Sequence, residues 1–368
     1  MARLQTVPPP KPEQMAALTG LRGFAALWVA ALHFQGETNL LLPASVGLNW
    51  FIGAGANAVP LFFVLSGFIL LHTYRDQFEN FSWRAYFGFL GLRLARIYPA
   101  YLAALAAMVL LVVAAALAGV PHNDKAYPAN WLLPEALMLH CWGRLPPNFF
   151  GWNFPDWSVS AEWFAYLCIF PLAVWLRKKI CRLAEIIPLL AALGLCVLEP
   201  VIRTEWKLPM VSLLFLAGAL LWEWRRRKIA AGNLPAHLDA AGVLLLLAVL
   251  GGGWREKIFT DAGVLVAIAL IILGLSRADG IFSRLLAARA WVFLGELSYS
   301  LYLVHGLVQR LLKIALPAEK FSATAWPVRA GVAAMEFSAV LLAAALLYWL
   351  VEKPARGWLR RKFSGRQT

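Results

Sequence analysis

Charge is what this sequence has least of. Asp, Glu, Lys and Arg make up 15% of its 368 residues, against about 25% in an ordinary soluble domain. With 61% hydrophobic residues and a mean hydropathy of +0.66, a soluble globular fold is excluded. Polar–apolar alternation is also missing, which excludes a transmembrane β-barrel, whose strands alternate lipid and lumen faces. Cysteine is rare: Cys141, Cys168, Cys181 and Cys196 have no metal-ligand or redox spacing, so free thiols and no metal are expected. Acids are outnumbered by bases, 20 to 34, for a net charge of +14. Those bases form no groove or motif for nucleic acid, so none is expected as a partner.

What the chain does have is apolar runs of about 20 residues, enough to cross a bilayer. It reads as an all-α polytopic membrane protein, a bundle of about ten transmembrane helices with the lipid bilayer as its first partner. The spans are expected at 16–34, 57–74, 97–120, 157–176, 183–201, 208–224, 237–253, 258–276, 290–313 and 327–351. Segment 130–142 is too short to cross and reads as an interfacial or re-entrant helix. An even count puts both termini on one side. Basic residues fill alternate loops: Arg75, Arg84, Arg93 and Arg96; Arg177, Lys178 and Lys179; Arg225, Arg226, Arg227 and Lys228; Arg277, Arg284 and Arg289; Arg356, Arg360 and Arg361. By the positive-inside rule both termini are cytoplasmic. Residues 1–15 then form a cytoplasmic leader without cleavable-signal character. Residues 16–354 form the transmembrane domain, and 355–368 a basic cytoplasmic tail.

Polar side chains inside these runs are costly unless they line a cavity or find partners. Arg22 and His33 lie eleven residues apart in one span, which returns them to nearly the same helical face, roughly 16 Å apart along the axis. Each alone has a bland reading: a snorkelling arginine and an interfacial histidine. Their shared face points to function. In the second span, Asn57 sits where it reaches a polar acceptor or a loop, while Ser66 and Gly67 read as packing residues. Arg93 and Arg96 share a face at the cytoplasmic mouth of the third span, and paired guanidinium forks suit phosphate. Glu162 lies about two turns into the fourth span, after Trp157 and Ser158. It is either half of a structural ion pair or a partner for His33 or a substrate hydroxyl. Ser298, Tyr302 and His305 step along one face of the ninth span, with His305 a structural hydrogen-bonding residue or a substrate ligand.

These pieces together resemble the acyltransferase-3 family of bacterial integral-membrane O-acyltransferases. The resemblance rests on Arg22 and His33 at their spacing, Phe-Phe-Val-Leu-Ser-Gly-Phe in the second span and Arg-Leu-Ala-Arg-Ile-Tyr-Pro at the third. Trp-Ser-Val-Ser-Ala-Glu at the fourth and Leu-Ser-Tyr-Ser-Leu-Tyr-Leu-Val-His at the ninth complete it. It implies a multi-pass protein of the bacterial inner membrane. This protein would move an acyl group, acetyl by default, from cytoplasmic acyl-CoA to a hydroxyl of a cell-surface or lipid-linked glycan at the outer face.

In that reading Arg93, Arg96 and Arg22 hold the acyl-CoA co-substrate, and Arg22 also stands as a candidate for the thioester oxyanion. His33 is the general base, or a nucleophile forming a transient acyl-histidine, and Glu162 orients it. Asn57, Trp157, Ser158, Tyr302 and His305 are candidate substrate-binding residues. The alternative from another class is a transporter or flippase for a lipid-linked sugar or small anion. It accounts for the buried Arg, His and Glu, but no duplicated half is visible.

Overall fold

The computed structural model describes residues 12–42, 46–120, 127–143, 151–179, 207–230, 232, 234–252, 257–277 and 279–364. Among them there is helix, turn and loop, and no strand. The long elements are α1 (Pro12–His33), α2 (Ala58–Tyr74) and α3 (Trp83–Leu117). Next come α4 (Trp157–Phe164) and α5 (Phe170–Lys179), joined through a π-helical turn, and then α6 (Leu208–Ala230). The chain continues through α7 (Leu238–Gly251), α8 (Lys257–Leu275), α9 (Arg289–Ala315), α10 (Trp326–Leu347) and α11 (Lys353–Ser364).

Seven helical segments among the described residues are long and apolar enough to cross a membrane, against about ten expected over the whole chain. The expected span 183–201 lies outside the described residues. Those at 237–253 and 258–276 appear as α7 and α8. The 14 residues of α7 reach roughly 21 Å, short of the ~30 Å hydrocarbon layer. Its run ends at Gly251 and Gly252, which add backbone freedom where an apolar side chain would have extended the helix.

The third helix also starts earlier than expected, at Trp83. Ser82 caps it, its hydroxyl accepting from the Ala85 amide at 3.2 Å. Exposed Trp83 and Phe87 sit on its first turns, as aromatic residues do at a membrane interface. Pro99 lies inside the helix without ending it. Arg93 and Arg96 are therefore carried well along a continuous helix.

Packing fixes the directions. A Cβ on Gly23 would meet the Gly295 amide at 2.7 Å, and one on Gly295 would collide with the Thr19 carbonyl. So α1 and α9 touch backbone to backbone, as small residues permit within membranes. They run parallel, since His33 meets His305 further along. α10 runs back: its Glu336 shares a cavity lining with Gln309 and Lys313 near the end of α9, while further on Ser300 donates to Glu352 at 2.7 Å and Tyr348 to Glu296 at 3.4 Å. The start of α1 and the end of α10 thus share one end of the bundle. α2 and α6 also finish there, where Arg75 and Arg226 flank Glu223 at 3.8 and 3.0 Å. We call this the basic end.

Segment 130–142 folds as a short helix, Leu132–Ala136, followed by a turn with Met138 at φ 54°. It wedges between α3 and α4. Tyr98 and Tyr101 donate to the Ala136 and Glu135 carbonyls at 2.9 and 2.8 Å, and Ser160 to the Met138 carbonyl at 2.8 Å. The tail expected after residue 354 is mostly α11, which continues from α10 through a second π-helical turn, Tyr348–Glu352.

Candidate active site

The parallel packing of α1 on α9 brings two imidazoles together. His33 Nδ1 lies 3.0 Å from His305 Nε2, with the rings stacked at 20°. His305 Nδ1 lies 2.7 Å from the Tyr302 carbonyl. A carbonyl only accepts, so in the neutral pair that nitrogen carries the proton. His305 Nε2 then accepts, His33 Nδ1 donates to it, and the His33 Nε2 lone pair is left for chemistry. The arrangement is that of a base held in one tautomer by an orienting partner.

Phe154 sets its edge against both rings, 4.5 and 5.5 Å from them by centroid. Asn153 anchors that loop by donating to the Leu303 carbonyl at 2.9 Å and to Asp156 at 2.8 Å. Gln309, one turn past His305, donates to the His33 carbonyl at 2.5 Å and so holds the end of α1.

Two contiguous cavities lead from the basic end toward the pair. The first, about 200 Å³, is lined by Thr73, Arg93, Arg96 and Tyr166. The second reaches Ser158, Ser298 and Tyr302. Arg22, Phe62, Ser66, Glu162 and Tyr299 line both. Tyr302, at the far end, is one helical turn before His305, and their rings are 5.6 Å apart. Its hydroxyl pairs with Ser158 Oγ at 2.8 Å, while Ser158 bonds the Pro155 carbonyl at 3.0 Å. Arg93 donates to the Tyr74 hydroxyl at 2.7 Å, and Arg96 lies within electrostatic reach of Arg22, Arg93 and Glu352.

The candidates thus divide. Arg22, Arg93, Arg96, Glu162, Ser158 and Tyr302 share the cavity wall. His33 and His305 stand just beyond it. The geometry does not bring Glu162 to His33: its Oε1 accepts from Ser66 at 2.9 Å and from Tyr166 at 2.5 Å. Glu162 points into the wall that α4 shares with α2, and His305 holds the orienting place instead. Asn57 turns back to the Ala54 carbonyl at 2.9 Å, and neither it nor Trp157 lines these cavities.

The profile of the acyltransferase-3 family, an acyltransferase domain, matches residues 15–350. The chain belongs to this family. Among its relatives is the acyltransferase MdmB of Streptomyces mycarofaciens, 31% identical over 96% of this chain and 95% of that protein. YrhL of Bacillus subtilis (strain 168), whose name proposes a peptidoglycan O-acetyltransferase, is 26% identical over 95% of this chain and 56% of its own length. Protein 2 in the picA locus of Rhizobium radiobacter is 38% identical over 30% of this chain and 52% of that protein. No solved structure matches.

This acyltransferase is a multi-pass membrane protein, and its buried polar residues outnumber those the sequence singled out. Glu352, 1% exposed, faces Ser300 and Arg356, and Glu336 is equally buried in α10. Both are lone acids within or beside an apolar run, the signal that drew attention to Glu162. Phe154 and Gln309 carry no such signal. Their roles follow from which helices touch.

Proposed function

We propose that this enzyme transfers an acyl group, acetyl by default, from cytoplasmic acyl-CoA to a glycan hydroxyl arriving at the opposite end of the bundle. One observation carries the reading: a cavity walled by Arg22, Arg93 and Arg96 stops one helical turn short of a paired imidazole. The basic end is the cytoplasmic end by the distribution of charge. Guanidinium groups there suit the phosphates of the donor, and the narrow inner cavity suits its acyl-bearing arm.

At the pair, His33 Nε2 takes the proton of the acceptor hydroxyl as its oxygen bonds to the thioester carbonyl carbon. The C–S bond breaks, the thiolate leaves, and the proton held on His33 passes to sulfur. The products are an ester and the free thiol. His305 acts as a positioning residue, holding the His33 tautomer through one hydrogen bond. The family assignment favours transfer over the transporter alternative.

The test is acyl transfer by purified wild-type and His33→Ala protein in lipid, with equal folded yield shown. Retained activity in the variant removes His33 from the chemistry. Mass spectrometry of surface glycans from cells with and without the gene then identifies acyl group and acceptor.

A further inference from the structure

The end of the bundle away from the basic clusters holds another cavity, about 280 Å³, between α9, α10 and the short helix Gln35–Leu41. It begins where the imidazole pair ends. Glu37 lies one helical turn past His33, and Gln309 one turn past His305, and both line it. The pair therefore stands between this cavity and the one lined by arginines.

Its charges do not balance. Lys313 is the one cation among the described residues that line it, against Glu37, Glu319 and Glu336. That lysine is already engaged, 2.6 Å from Glu37 Oε1, and Gln309 donates to the same carboxylate at 3.2 Å. Glu336 is 1% exposed, and its Oε2 has no hydrogen-bond partner among the described residues. Glu37, of like sign, lies within electrostatic reach of it. An unpaired carboxylate among apolar helices carries a desolvation cost that a ligand can offset by bringing both a donor and a positive charge.

We propose that this cavity is the acceptor subsite and that it takes an amine-bearing sugar, its ammonium group paired with Glu336. The assignment of the cavity to the acceptor rests on the acyl-transfer reading above. The binding itself does not require any transfer to occur. Gln309 and Glu37 supply the remaining acceptor and donor atoms that sugar hydroxyls use. An ammonium seated on Glu336 leaves the rest of the ring free to extend toward His33.

The experiment measures binding to the full chain in lipid nanodiscs, with no acyl donor present, by calorimetric titration. Glucosamine, N-acetylglucosamine and glucose are compared at a pH where the free amine is protonated. Glucosamine is expected to bind about tenfold more tightly than either neutral sugar, the ratio that about 1.4 kcal/mol produces. Glu336→Gln is expected to abolish the preference and Glu336→Asp to keep part of it. Equal affinities, no detectable glucosamine binding, or a preference that survives Glu336→Gln each overturn the proposal. If the Gln variant does not fold, the wild-type comparison of the three sugars decides alone. Because no donor is present, these outcomes are independent of whether His33→Ala retains transfer.

Discussion

The cavities on either side of the His33–His305 pair are lined by opposite charges. Toward the basic end the wall carries Arg22, Arg93 and Arg96 against Glu162. Beyond the pair it carries Glu37, Glu319 and Glu336 against Lys313. Both walls are built on the same elements, since the stretch from Arg22 to Glu37 and α9 pass through each. A few residues of helix therefore separate a wall rich in arginine from one rich in carboxylates. In the transfer reading proposed above, that polarity gives the two substrates distinct entrances and a single meeting point. It also predicts that substitutions in one wall act on one substrate, while substitutions at the pair act on the rate for both.

The largest effect is expected at the pair. His33→Ala should lower the maximal rate by about 10²–10⁴-fold, the usual contribution of a general base, with donor and acceptor KM little changed. His305→Asn should cost less and should move the pH–rate profile, since it releases the His33 tautomer while leaving its ring in place. An unchanged profile would place His305 in packing alone. Next come the walls. Arg93→Ala and Arg96→Ala should each raise the acyl-CoA KM by roughly tenfold or more, the loss of a charge-assisted hydrogen bond, without altering acceptor KM. If acceptor KM moves equally, the two entrances are not separate.

Glu162→Gln sharpens the comparison further. Bound to Ser66 and Tyr166, it should alter donor KM and leave the pH–rate profile where it is. A shifted profile would restore Glu162 as the orienting acid of His33. The smallest effect belongs to a site outside both cavities. Burial pushes the Glu135 carboxyl up to about 7, opposed by its bond from the Trp152 amide. Between its ordinary value near 4.5 and 7, the folded chain keeps a proton that the unfolded chain has released. Stability should therefore fall as pH rises through that window, by at most on the order of 3 kcal/mol. Thermal denaturation of Glu135→Gln across pH 4.5–8 should show that slope removed and catalysis intact.

Much of this was legible without coordinates. Arg22, His33, Glu162 and His305 stand out because hydrocarbon tolerates such groups only where they have a use, and a lone polar letter in an apolar run is visible in one dimension. The same rule reaches Glu336 and Glu352, which stand outside the motifs that carry the family resemblance. Span boundaries are less legible, because hydropathy does not register that Ser82 caps a helix fourteen residues ahead of the apolar core of α3, or that α7 stops at glycines.

Composition by itself determined that the chain is helical and membrane-embedded, since few charges and long apolar runs leave the backbone no partners except its own. Periodicity determined which polar residues share a face within one helix. Only the tertiary structure decided that His33 answers to His305 and not to Glu162. That pairing spans 272 residues of sequence and depends on glycines letting α1 and α9 meet backbone to backbone. Helical spacing carries information along an axis, and which axes become neighbours is a property of the packed bundle.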